Sequence, residues 1–192
     1  MNTPSRLNTK STLNVKKITM SALLTAIAMI IPMYMPFKLV LEPIFSATFA
    51  AHVPGILALF IGPSAVIGTA IGSALGFFMA LANPWVSARA FVHLIFGLFG
   101  YYMAKREYNV FLILLLTGLV HAASEMLVGV VSLAVIEAPA SIAEYILVTV
   151  GLGTFIHHCI DFAIVLVIYT PLYKAKVLPI SLNYNRLRKH SA

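Results

Sequence analysis

Apolar residues fill six long stretches of this chain, separated by short polar or proline-containing breaks. A helix needs roughly 20 apolar residues to cross a bilayer. The pattern predicts six such helices, at Ile18–Met35, Phe45–Ile61, Ser64–Ala82, Ala88–Ala104, Val110–Val135 and Glu144–Leu172. The two-residue alternation of a transmembrane barrel is absent. The expected fold is therefore an all-α integral membrane protein, a compact bundle of six transmembrane helices forming one domain over residues 18–173. A polar tail (1–17), expected to be disordered, precedes it, and a basic tail (174–192) follows. Prolines at 32, 36 and 43 are expected to end the first helix and hold the first outward loop extended.

Composition supports the membrane assignment: 60% of the residues are hydrophobic and 10% charged, too little polar surface for a soluble globule of this length. Threading six helices puts eleven of the thirteen Lys and Arg residues on one side. These are Arg6, Lys10, Lys16 and Lys17, then Lys105 and Arg106, then Lys174, Lys176, Arg186, Arg188 and Lys189. By the positive-inside rule both termini are expected to be cytoplasmic. The net charge of +7 then reads as a topology signal and an attraction to anionic lipid, not as a nucleic-acid surface. The single Cys159 excludes an intramolecular disulfide.

Within the apolar stretches, Arg89/His93, His121/Glu125 and His157/Asp161 stand four residues apart, so each pair shares one helix face. Ionisable side chains are costly in a bilayer and generally have a partner or a function there. Two readings fit the His–carboxylate pairs, mutual neutralisation and ligand contact. Arg89 either snorkels to the headgroups or binds an anion through its planar fork. Trp85, beside Asn83, is either an interfacial anchor or a stacking face. His52 stands alone and is read as a satisfied interior histidine. Gly68, Gly72 and Gly76 predict close helix packing, and Ala22 and Ala26 form a second small-residue stripe. No H-E-x-x-H, phosphate loop or nucleophile elbow occurs. No metal, no cofactor and no enzymatic activity are expected, and uphill transport would draw its energy from another subunit or an ion gradient.

The basic N-terminus leading into an Ala-xxx-Ala helix, with the stretches Ser46–Ala58, Gly72–Phe78, Arg89–His93, His121–Glu125 and Gly151–Asp161, resembles the S components of energy-coupling factor (ECF) vitamin transporters, the niacin-specific type above all. The resemblance implies a bacterial plasma-membrane protein that captures a small vitamin from outside. It also implies docking through Ala22 and Ala26 on a membrane scaffold, the T component, which carries two cytoplasmic ATPases. The implied pocket comprises Asn83, Trp85, Arg89, His93, His121, Glu125, His157 and Asp161. Niacin suits this inventory, with a hydroxymethylpyrimidine or pantothenate as alternatives. Readings of another class are an intramembrane histidine-based metalloenzyme and a stand-alone ion-coupled carrier.

Overall fold

The computed structural model describes residues 6–137 and 139–184, with side chains from residue 15 onward. Arg186, Arg188 and Lys189 of the basic tail lie outside the described residues, as do residues 1–5 of the polar tail and Ala138. The first helix, α1, covers Arg6–Tyr34 and so begins well before the expected Ile18. No Gly or Pro occurs between Arg6 and Pro32, and helix propagation, once nucleated, continues until something breaks it. Residues 6–17 are thus helical, not disordered.

The second expected helix is the main correction. Phe45–Ile61 is not one helix. A hairpin of β1 (Lys38–Leu41) and β2 (Phe45–Thr48) precedes α2, which spans only Val53–Ala58. Residues 49–52 turn between β2 and α2, with Ala50 at a left-handed φ of 63°. The sequence carries the breakers, since Pro43, Pro54, Gly55 and the Gly62–Pro63 pair bracket every part of this segment. Its hydrophobicity describes burial, not helix: Ile56, Ala58, Leu59 and Phe60 are all fully buried, at the centre of the bundle against Phe96, Phe162 and Val66.

The remaining elements are α3 (Pro63–Leu81), α4 (Pro84–Phe91), α5 (His93–Lys105), α6 (Val110–Ser132), α7 (Ile142–Glu144), a π-helical stretch (Tyr145–Leu152) and α8 (Gly153–Lys174). The described residues contain five helical spans long and apolar enough to cross a membrane, with α4 joined to α5, and α7 through α8 acting as one. Asn83 and Asn109 cap α4 and α6 by accepting from the amides of Trp85 and Val86 and of Phe111 and Leu112. Ala175–Tyr184 fold back beneath the bundle instead of trailing as a tail. Leu178 is buried, Tyr169 donates to the Ile180 carbonyl, and Val110 N–H donates to the Asn183 carbonyl at 2.7 Å.

The glycine stripe of α3 lies directly on α1. A Cβ built at Gly68, Gly72 or Gly76 would stand 2.4, 2.5 or 2.3 Å from Thr25 Oγ1, Thr25 O or Met29 O. Because the partner number rises with the glycine number, α1 and α3 run parallel. The chain between them must therefore return along the bundle, and the hairpin with the short α2 makes that return. On its other side α1 is open: Ala22, Leu23, Ala26 and Ile27 are exposed while Leu24 and Ala28 are buried.

Gly76→Ala is expected to force the α1 backbone away and to destabilise the protein by about 1–3 kcal/mol. Gly55→Ala, whose new Cβ would meet only Phe96 at 3.9 Å, should be tolerated. Thermal unfolding of both variants in detergent checks the contrast.

Candidate ligand-binding site

Glu125, in the middle of α6, gathers side chains from three neighbouring helical segments and from its own. Arg89 on α4 donates to Oε2 through Nε at 3.2 Å and through Nη2. Thr154, at the start of α8, donates to the same oxygen at 2.5 Å. Oε1 faces His121 Nε2 at 3.1 Å, one turn back on α6, and His93 Nε2 on α5 at 3.3 Å. All are buried, Arg89 to 3% exposure and His121 to 0%. Arg89 therefore does not snorkel to the headgroups; burial holds its fork on a carboxylate.

A helix irregularity makes this convergence possible. α4 ends at Phe91 and α5 restarts at His93, with Val92 between them at ψ −3°. Both Arg89 and His93 still reach Glu125, although the perfect one-turn relation expected of them is lost. The π-helical stretch ahead of α8 ends at Leu152, two residues before Thr154; such segments recur at functional sites because they alter which side chains face inward.

A second carboxylate, Asp161 on α8, closes the break before α2. Its oxygens accept from the Ala50 amide at 3.0 Å and the His52 amide at 2.9 Å. The turn leaves these backbone donors without helical partners, and Asp161 supplies them. His157 Nε2 lies 3.3 Å from Asp161 and donates to the Thr48 carbonyl at 3.0 Å. His52 Nδ1 lies 3.0 Å from Asp161 Oδ2, yet outside hydrogen-bonding angles. This buried nitrogen has no hydrogen-bond partner, and neither do the Ser46 and Thr48 hydroxyls.

The β1–β2 hairpin roofs the site. Arg89 Nη1 donates to the Ile44 carbonyl at 2.5 Å, and the Phe45 ring lies 5.0 Å from the guanidinium carbon. The Tyr145 hydroxyl accepts from the Ile44 and Phe45 amides and donates to the Leu41 carbonyl, each at 3.1 Å. Asn83 Nδ2 donates to the Pro43 carbonyl at 3.0 Å. Trp85 packs into the apolar cluster of Ile44, Phe45 and Tyr145. Beneath the roof, Ser46, His52, Arg89, His93, Glu125 and His157 line a cavity of about 10 Å³.

Of the residues named from sequence, Arg89, His93, His121 and Glu125 form one cluster, and His157 and Asp161 an adjoining one. Asn83 and Trp85 belong to the roof and its tether. Ala22 and Ala26 lie on the outer face of α1, away from both. His52 was misjudged as a lone interior residue. Its ring centroid lies 4.4–4.7 Å from those of three histidines: 4.7 Å from His93, 4.6 Å from His121 and 4.4 Å from His157. Its place beside Pro54 and Gly55, outside any helical pair, left no spacing signal. Thr117, Tyr145 and Thr154 were likewise missed, since hydroxyls in apolar stretches have no distinctive pattern.

The niacin transporter NiaX of Lactococcus lactis subsp. cremoris (strain MG1363) is 32% identical to this chain over 170 residues, covering 84% of the chain and 76% of that protein. The chain belongs to the NiaX-like family of S components. Its apolar spans and this membership make it a multi-pass membrane protein. No family model and no solved structure matches it.

Removing one partner of a buried ion pair strands the other charge, at a cost of about 3–5 kcal/mol. Glu125→Gln is therefore expected to be strongly destabilised in thermal unfolding. The Arg89→Met/Glu125→Leu double variant should recover much of the loss, and a double-mutant cycle on melting measures the coupling.

Proposed function

We propose that this chain is the substrate-capturing component of an ECF importer in a bacterial plasma membrane, and that it takes niacin, as nicotinate, from outside. In this reading the bundle crosses the membrane six times, the hairpin with α2 serving as the second crossing. Both termini lie in the cytoplasm, as the eleven basic residues on one side favour. Energy comes from two ATPases reached through a membrane scaffold.

The observation that carries the proposal is the buried Arg89 fork beneath the hairpin, in a chain that is 32% identical to a niacin transporter. Arg89 keeps two nitrogens on Glu125 and turns the third, Nη1, to a backbone carbonyl of the roof. Lifting the hairpin frees that nitrogen for a carboxylate and enlarges the 10 Å³ cavity for the ring. The Ser46 hydroxyl, on the same cavity and without a partner, is a further group available to the ligand. The roof is tethered mostly by neutral hydrogen bonds, each of modest net strength, which suits a lid.

A charge-assisted bond contributes roughly 1.5–3 kcal/mol, or about ten- to hundredfold in affinity. Purified protein is therefore expected to bind nicotinate at least tenfold more tightly than nicotinamide in calorimetric titration. Equal affinities would overturn anion capture. Arg89→Lys, which lacks the bidentate fork, should lose most of the preference.

The exposed Ala22–Ala26 face of α1 supports its assignment as the docking surface, because small residues allow another helix close approach. Replacing both alanines with Trp should abolish ATP-driven uptake in cells while leaving nicotinate affinity unchanged. Unchanged uptake would refute the assignment.

A further inference from the structure

We propose that the cluster around Glu125 is a divalent transition-metal site, and that the bound ion anchors the ring nitrogen of the captured acid. The second half of this inference rests on the niacin reading above; the first does not.

His52, His93, His121 and Glu125 each offer one donor atom, all buried and all within 4.8 Å of one another. The three imidazoles meet in T-shaped pairs. The centroids of His52 and His93, His52 and His121, and His93 and His121 are 4.7, 4.6 and 4.8 Å apart, with interplanar angles of 74°, 80° and 89°. Zinc–nitrogen bonds of 2.0–2.1 Å in a tetrahedron separate neighbouring donors by about 3.4 Å. Glu125 Oε1 already stands 3.1 and 3.3 Å from His121 Nε2 and His93 Nε2. The adjoining cavity, at about 10 Å³, has room for about one ion- or water-sized centre.

Hydrogen-bond bookkeeping points the same way. The Thr117 hydroxyl donates to the Ile113 carbonyl at 2.6 Å, so its oxygen is the acceptor for His158 Nε2–H at 3.1 Å. A neutral His158 then has a bare Nδ1, which accepts from His121 Nδ1–H at 3.2 Å. A neutral His121 is left with an Nε2 lone pair directed at a carboxylate oxygen, two acceptors face to face. A cation coordinated by both removes the conflict. His52 Nδ1, buried and without a hydrogen-bond partner, lies 3.0 Å from Asp161 Oδ2; a turn of the ring onto a metal would align the two in the carboxylate–histidine relation that orients metal-bound imidazoles.

Charge gives a third, independent reason. The buried charged side chains among the described residues are Arg89, Glu125 and Asp161, a sum of −1 with neutral imidazoles. An aromatic carboxylate brings it to −2, and a divalent ion brings it to zero, as a low-dielectric interior favours. Three imidazoles and one carboxylate suit zinc, cobalt or nickel. Expansion to five-coordination admits a pyridine nitrogen, a donor of imidazole type. The carboxylate at the other end of the acid then meets Arg89.

The test uses full-length protein stripped with chelator. Cobalt(II) added to the wild type is expected to bind one ion per chain with visible d–d absorption. His52→Gln should weaken it at least tenfold, and Asp161→Asn by ten- to hundredfold. Nicotinate should shift the cobalt spectrum and benzoate, which has no ring nitrogen, should not; nicotinate affinity should fall at least tenfold on metal removal. Wild-type protein that binds nicotinate but takes up no cobalt overturns the whole inference and leaves the niacin reading intact; protein that takes up cobalt but binds nicotinate equally with and without it overturns the ring-nitrogen anchor alone. A stoichiometric, His52-dependent cobalt site in protein that binds no nicotinate upholds the metal site and overturns the niacin reading instead.

Discussion

One buried carboxylate holds the interior of this bundle together. Glu125 is the acceptor for Arg89 from α4 and Thr154 from α8, and it faces His93 from α5 and His121 from its own helix. Lipid offers no hydrophobic drive for one helix to prefer another, so polar contacts and close packing decide which faces meet. A carboxylate that must be satisfied away from water specifies that meeting narrowly. The same arrangement collects imidazoles and a guanidinium in one place, so the group that sets helix orientation is also the group around which chemistry accumulates.

Asp161 performs the corresponding task for the backbone. The chain between the parallel helices α1 and α3 crosses the bundle with only six α-helical residues, which leaves main-chain donors exposed to an apolar interior. Such backbone is tolerated at membrane depth only where protein groups satisfy it. Asp161 does so for Ala50 and His52, and in consequence the hairpin, its roofing residues and His52 are positioned over the Glu125 cluster.

The periphery follows different physics. Only 17% of the α1 span is buried, against 50% of α3, yet the two backbones approach so closely that a methyl group on the α3 glycines would clash. α1 is thus held on one face by intimate van der Waals contact and left free on the other, where Ala22 and Ala26 lie. A helix so arranged joins the bundle without using its outer surface.

The sequence by itself determined the membrane class, the five long apolar helical spans to within a few residues at most ends, the glycine stripe, and Glu125 with three of the residues around it, Arg89, His93 and His121, through their one-turn spacing. Periodicity could do this because a helix maps spacing onto direction. It failed at Phe45–Ile61, where a fully buried extended-and-turned segment is as apolar as a helix and only the prolines and glycines signal otherwise. It failed also at His52, which no helical repeat connects to anything. Tertiary structure alone decided that Arg89 faces Glu125 and not the headgroups, that Asp161 accepts from the backbone of the broken segment before α2, and that four histidine rings from separate elements converge. These are relations between segments far apart in the chain, and a one-dimensional pattern carries no distance between them.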